Sequence, residues 1–189
     1  TEDDTKEKSL GEDDSFDKSR GAWSGGKCID QEMPSEDERE DESYVPPRVM
    51  LASDLHYISP DTHDNGAAFQ RMVAQDDGKI SQYSQALIDT LTEEAIRNRP
   101  SALVLTGDIT LNGERENHLK LAEGLHRVTE EGIPVLVIPG NHDIKNKNAA
   151  EYFGEERTEA EYLETAQDFE EIYHEFGYDQ AVSRDDFSL

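Results

Sequence analysis

The chain has 189 residues, enough for one domain with a proper core, and its 44 acidic against 18 basic residues give a net charge of −26. A surface of that sign repels nucleic-acid phosphates and anionic membranes, which argues against general nucleic-acid binding. The single cysteine, Cys28, excludes an internal disulfide and a multi-cysteine metal site, and no apolar run approaches the roughly 18 residues needed to span a bilayer.

Residues 1–47 are rich in Asp, Glu, Ser, Lys and Gly, with apolar residues scattered singly. Such a segment buries too little surface to offset its ordering entropy, which predicts a flexible acidic leader closed by Pro46-Pro47. Cys28 falls in a Gly-rich loop as a thiol with no assigned role. Leaders of this composition occur where exported domains are tethered to an envelope, but composition alone assigns no location.

The second segment, 48–189, opens with an apolar strand, 48–53, that runs into Asp54-Leu55-His56. A polar connection from Tyr57 to about Gly78 follows, long for a structureless loop, with one helical turn suggested by Phe69, Met72 and Val73. Ile80, Tyr83, Leu87, Leu91 and Ala95 recur at helical spacing and predict a helix from about Lys79 to Asn98, ended by Pro100. Strand 102–106 then leads into Gly107-Asp108. A second helix, roughly Glu114 to Glu131, carries Leu121, Leu125 and Val128 on one face. Strand 135–138 runs through Pro139 into Gly140-Asn141-His142-Asp143. After a polar stretch, Thr158 and Glu161 read as a capping box for a last helix with Tyr162, Ala166, Phe169, Tyr173 and Phe176 on its stripe. Strand, helix, strand, helix, strand implies right-handed crossovers and a parallel sheet covered by helices on its faces. All three strands then end on one edge, where ligands of such sheets bind.

Each strand end carries polar side chains suited to divalent first-row ions such as Mn²⁺, Zn²⁺ or Fe. Asp54 and His56, two apart, point to the same side of a continuing strand and can hold one ion together. Asp108 has two oxygens able to bridge two ions, and Asn141 offers a neutral oxygen. Two ions can clamp a phosphoryl group and acidify a bound water to a pKa of about 7. They also invert the local field, so an anionic phosphate can approach an acidic protein. His142 is more useful unligated, as the acid that protonates a leaving alkoxide, with Asp143 fixing its orientation. Elsewhere, no spacing of acidic residues matches a dedicated calcium loop.

Together, Asp54-x-His56, Gly107-Asp108 and Gly140-Asn141-His142-Asp143 resemble the first three motifs of the calcineurin-like metallophosphoesterases, over about residues 48–145. The resemblance implies an α/β/β/α sandwich, here a partial one with a βαβαβ parallel core and its second half absent. It also implies a dinuclear metal centre that hydrolyses phosphomonoesters or phosphodiesters. Asp54 and His56 would bind the first ion, Asp108 would bridge, Asn141 would bind the second, and His142 would contact phosphate or assist the leaving group.

The family's further ligands, a lone histidine after a later strand and a Gly-His-x-His motif, have no counterpart here. His118 and His126 fall on the second helix, away from the strand ends, His174 on the last helix, and His63 in a loop that can reach the cleft. The expectation is an amino-terminal portion that binds metal weakly, turns over slowly and pairs with a missing carboxy-terminal portion. A non-catalytic scaffold with an incomplete metal site is the alternative.

Overall fold

The computed structural model describes residues 45–76 and 78–182, and the backbone of two short strands at 23–24 and 27–28. The chain divides into two units, 1–46 and 47–189. In the first, β1 (Trp23–Ser24) pairs antiparallel with β2 (Lys27–Cys28), Trp23 opposite Cys28, so Cys28 stands in a short ladder instead of a loop. The rest of the predicted leader lies outside the described residues.

The second unit is built on a parallel sheet of β3 (Val49–Ala52), β4 (Ala102–Thr106) and β5 (Val135–Ile138), in that spatial order. These are the three predicted strands, with the first trimmed by one residue at each end. α2 (Ser84–Asn98) connects β3 to β4, and α3 (Arg115–Thr129) connects β4 to β5. A 3₁₀ turn at Ser81–Tyr83 occupies the start of the predicted first helix. Arg99 ends α2 in a left-handed conformation at φ 44°, its N–H donating to Ala95 at 2.9 Å.

Side chains alternate across a strand, so each face of the sheet is set by every second residue. Leu103, Leu105, Val135 and Val137 are buried on one face against Ile88 and Ala95 of α2 and Leu121, Leu125 and Val128 of α3. α4 (Ala166–Tyr173) and a wider turn at His174–Tyr178 add Phe169, Tyr173 and Phe176 to the same core. Burial of each such side chain contributes about 1.5–3 kcal/mol. The other face is left open among the described residues. Val49 and Leu51 are 59% and 65% exposed, Leu136 and Ile138 39% and 49%. Where strand order predicts helices on its faces, the described residues cover the sheet on one only, as in half of a two-sheet sandwich. This partial α/β arrangement matches the fold that the resemblance implies.

Two insertions stand beside this core. The long connection after β3 forms a 3₁₀ turn (Pro60–Thr62) and a full helix, α1 (Ala67–Gln75), not one turn. After β5, the polar stretch makes an antiparallel hairpin of β6 (Ala150–Phe153) and β7 (Glu156–Glu159). Thr158 and Glu159 therefore belong to β7 and start no helix. The capping box forms later, between Thr165 and Asp168, and opens α4. All four β7 residues are exposed, so the strand has no apolar alternation to read. α1 and the hairpin close on a second small core of Ile58, Ala68, Phe69, Leu111, Ala150 and Tyr152. His63 stacks on Phe69 with ring centroids 3.8 Å apart, a packing role on this core.

Candidate metal centre

Backbone pairing between β3 and β4 runs on past both strands. Asp54 N–H donates to Gly107 at 3.1 Å, His56 N–H to Asp108 at 3.0 Å, and Tyr57 N–H to Ile109 at 2.9 Å. Along this zipper the backbone is left-handed at Asp54 (φ 55°), His56 (φ 42°) and Asp108 (φ 48°). A side-chain-bearing residue held there costs on the order of 1 kcal/mol or more, and such strain collects at functional sites. It is these three residues whose ligand atoms all lie within 4.8 Å of one another. They converge through left-handed kinks, and not through the pleat of a continuing strand as the two-residue spacing suggests.

The donor set fits a divalent ion. His56 Nδ1 is buried and, among the described residues, has no hydrogen-bond partner, an arrangement that costs free energy unless something else engages the lone pair. Burial, then electrostatic repulsion by Lys79 and His142, lowers the His56 pKa against the opposing pull of Asp108 and Asp54. The ring is thereby kept neutral, the form that ligates. The Ser53 hydroxyl donates to Asp54 Oδ2.

The third strand end wraps around Asp108. His142 N–H donates to Asp108 Oδ1 at 2.8 Å. A Cβ at Gly140 would stand 2.2 Å from the same oxygen, so only glycine lets the turn approach this closely. Asn141 lies between these two residues with its side chain exposed. The His142 ring meets the His56 ring edge-on, centroids 4.8 Å apart. Its Nδ1 lies 2.8 Å from the Leu111 carbonyl. A carbonyl only accepts, so Nδ1 carries the proton and Nε2 faces outward from that bond.

Asp143 does not orient His142. Its fully buried carboxylate turns inward and accepts from Gly140 N–H at 2.7 Å, Thr110 N–H at 2.9 Å, Thr110 Oγ1 at 2.8 Å and Ile109 N–H at 3.2 Å. The Leu111 carbonyl does the orienting, and Asp143 ties the loop after β4 to the loop after β5.

A second correction concerns His118. Although on α3, it is fully buried and reaches the strand ends: Nε2 lies 3.0 Å from the Asp143 carbonyl and 3.2 Å from Thr110 Oγ1. Nδ1 lies 3.0 Å from the Tyr173 hydroxyl of α4. Burial pulls its pKa down to about 4, partly opposed by Asp143. Beside it, buried Glu114 accepts from Asn112 N–H, Asn117 Nδ2 and the Ala150 N–H, while burial raises its pKa. These supporting residues carry no motif. The available signal was polar side chains, Asn117 and His118, one turn before Leu121 on the apolar face of α3. His126 instead pairs loosely with Glu175 at 3.7 Å, and His174 is exposed.

A sequence profile described as calcineurin-like phosphoesterase matches residues 47–185. No curated protein matches the chain.

Proposed function

Because the chain belongs to the calcineurin-like phosphoesterases, we propose that it hydrolyses a phosphoester bond, of a diester or a monoester, at a divalent-metal centre. Asp54, His56 and Asp108 would hold the first ion, and Asp108 with Asn141 a second; Mn²⁺, Zn²⁺ and Fe all suit these donors. The observation that carries the reading is the left-handed triad whose ligand atoms lie within 4.8 Å, with the buried His56 Nδ1 otherwise unpartnered. Bound there, such ions offset phosphate charge and make water acidic enough to deprotonate near neutral pH.

The protein's own groups do the rest. His142, fixed through Nδ1 by Leu111, presents Nε2, which in the imidazolium form gives its proton to the leaving oxygen and leaves the ring neutral, with Nδ1–H still bonded to Leu111. Asp143 acts at one remove, holding the backbone of Gly140 and Thr110 on either side of Asp108. A second ion would find only Asp108 and Asn141 among the described residues, so it would be held weakly and turnover would be slow. The bare apolar face at Val49, Leu51, Leu136 and Ile138 supports pairing with a further layer that brings the remaining ligands. The thin second-ion site also favours one rival, a scaffold that keeps the fold without catalysis.

Calorimetric Mn²⁺ titration and a panel of chromogenic phosphate mono- and diesters test both readings. Wild type should bind Mn²⁺ and release nitrophenol slowly, and Asp108→Ala should do neither. Equal metal content and activity in that variant would sink the metal-centre reading. Metal binding with no turnover on any ester would favour the scaffold, and brisk turnover by the chain alone would overturn the incomplete second site.

A further inference from the structure

Between α1 and the β6–β7 hairpin lies a second cavity, of about 530 Å³. Arg71 of α1, Arg157 of β7 and Lys79 of the segment before α2 line it. One lining carboxylate, Asp76, accepts from the Ser81 hydroxyl at 2.5 Å and stands 4.0 Å from Lys79. Three cations against one anion is the reverse of a chain whose net charge is −26.

The two guanidinium groups, on exposed residues, are anchored but not neutralised. Arg71 Nη2 donates to the Glu155 carbonyl at 2.5 Å, and Arg157 Nη2 to the Asn148 carbonyl at 2.7 Å. Among the described residues neither has a carboxylate within 4.0 Å, whereas Arg97, Arg115 and Arg127 on the long helices each have one. A backbone carbonyl fixes a guanidinium in place while leaving its charge and most of its five donors free. Two such forks with an ammonium beside them suit the several oxygens of a phosphate.

The cavity also adjoins the metal centre. Lys79 lines both it and the cavity that holds Asp54 and His56. The carbonyl of its lining residue Leu111 accepts the hydrogen bond from His142 Nδ1. Asn112, also lining it, accepts from Asn146 Nδ2, which donates as well to the His142 carbonyl.

We infer that this cavity is a subsite for a second phosphate group of the substrate, beyond the phosphoester at Asp54, His56 and Asp108. The substrate class is then a small phosphate ester with a further phosphate, such as a nucleotide phosphorylated at two positions. This rests on the phosphoesterase reading, and two measurements on the full chain separate the two.

The first titrates inorganic pyrophosphate into metal-stripped protein by calorimetry. Saturable binding should weaken at least tenfold in Arg71→Ala/Arg157→Ala and by less in Arg71→Lys/Arg157→Lys, which keeps the charge and guards against a folding artefact. No binding, or equal affinity in all three proteins, overturns the subsite. The second compares, with Mn²⁺, the 4-nitrophenyl ester of thymidine 5′-phosphate with and without a 3′-phosphate. The 3′-phosphate should lower KM at least tenfold in wild type, and the double alanine variant should bring the two KM values within twofold. Equal KM values in wild type overturn the substrate assignment. Hydrolysis of neither ester, with arginine-dependent pyrophosphate binding intact, overturns the phosphoesterase reading and leaves an anion site.

Discussion

Asp143→Asn separates two roles that a carboxylate beside a catalytic histidine can play. If Asp143 tuned His142, the amide would leave folding untouched and change only activity. The geometry requires the opposite, since the carboxylate accepts four hydrogen bonds from Gly140, Ile109 and Thr110 in a fully buried site. Hydrogen bonds to an ionised group each contribute about 1.5–3 kcal/mol, and roughly half of that is lost when the acceptor becomes neutral. The amide also turns an NH₂ toward at least one backbone N–H. Allowing for non-additivity, the cost is about 3 kcal/mol, a large share of the ~5–15 kcal/mol that holds a domain together. With an m value of about 1.5 kcal/mol/M, the urea midpoint should fall by roughly 2 M. His142→Ala, which removes a half-buried ring bonded only to a carbonyl, should move the midpoint by no more than about 0.7 M on the same scale. Equal midpoints for Asp143→Asn and wild type would show that Asp143 does not staple the two loops.

Three further outcomes follow from the same structure. Burial holds His118 at about 4 against 6.5 for the free ring, so between those pH values the unfolded chain takes up a proton that the folded chain does not. Its contribution is fully present above pH 6.5 and declines as pH falls toward 4, by up to roughly 3 kcal/mol; urea titrations across that window should show a flatter dependence in His118→Gln, and identical slopes would contradict a neutral buried ring. Gly140→Ala should weaken Mn²⁺ binding at least tenfold by calorimetry, because its Cβ falls 2.2 Å from Asp108 Oδ1, while Gly124→Ala on α3, with 3.6 Å to Ile88, should raise stability by about 0.5–1 kcal/mol.

What could be read from the sequence was whatever repeats locally. Apolar runs ending in Asp-x-His, Gly-Asp and Gly-Asn-His-Asp located the three strands within a residue, and the helical stripes located α2 and α3. The same residues were mistaken wherever contact is long-range. Asp143 sits next to His142 in sequence, which suggests a pair, yet its four donors come from Gly140 and from Ile109 and Thr110, over thirty residues earlier. His118 looked remote because distance along a helix says nothing about which loop crosses its face. β7 was illegible because a strand held by pairing alone, with Glu156, Arg157, Thr158 and Glu159 all exposed, has no burial pattern to betray it.

These misread residues form one connected structure. The Tyr173 hydroxyl meets His118, His118 meets Thr110 and the Asp143 carbonyl, and the Asp143 carboxylate holds Gly140 against Asp108. α4 is thus joined through buried hydrogen bonds to Asp143, and through Asp143 to the turn that packs on Asp108. Strain at Asp54, His56 and Asp108 needs surroundings that over-determine it. A sheet with one bare face is poorly placed to supply that alone. The polar run beneath the loops does so from the covered side, where burial makes every unmade bond costly. On this reasoning α4 is part of the site, and a chain ended before Thr165 would lose the backbone geometry of Asp108 before it lost its sheet.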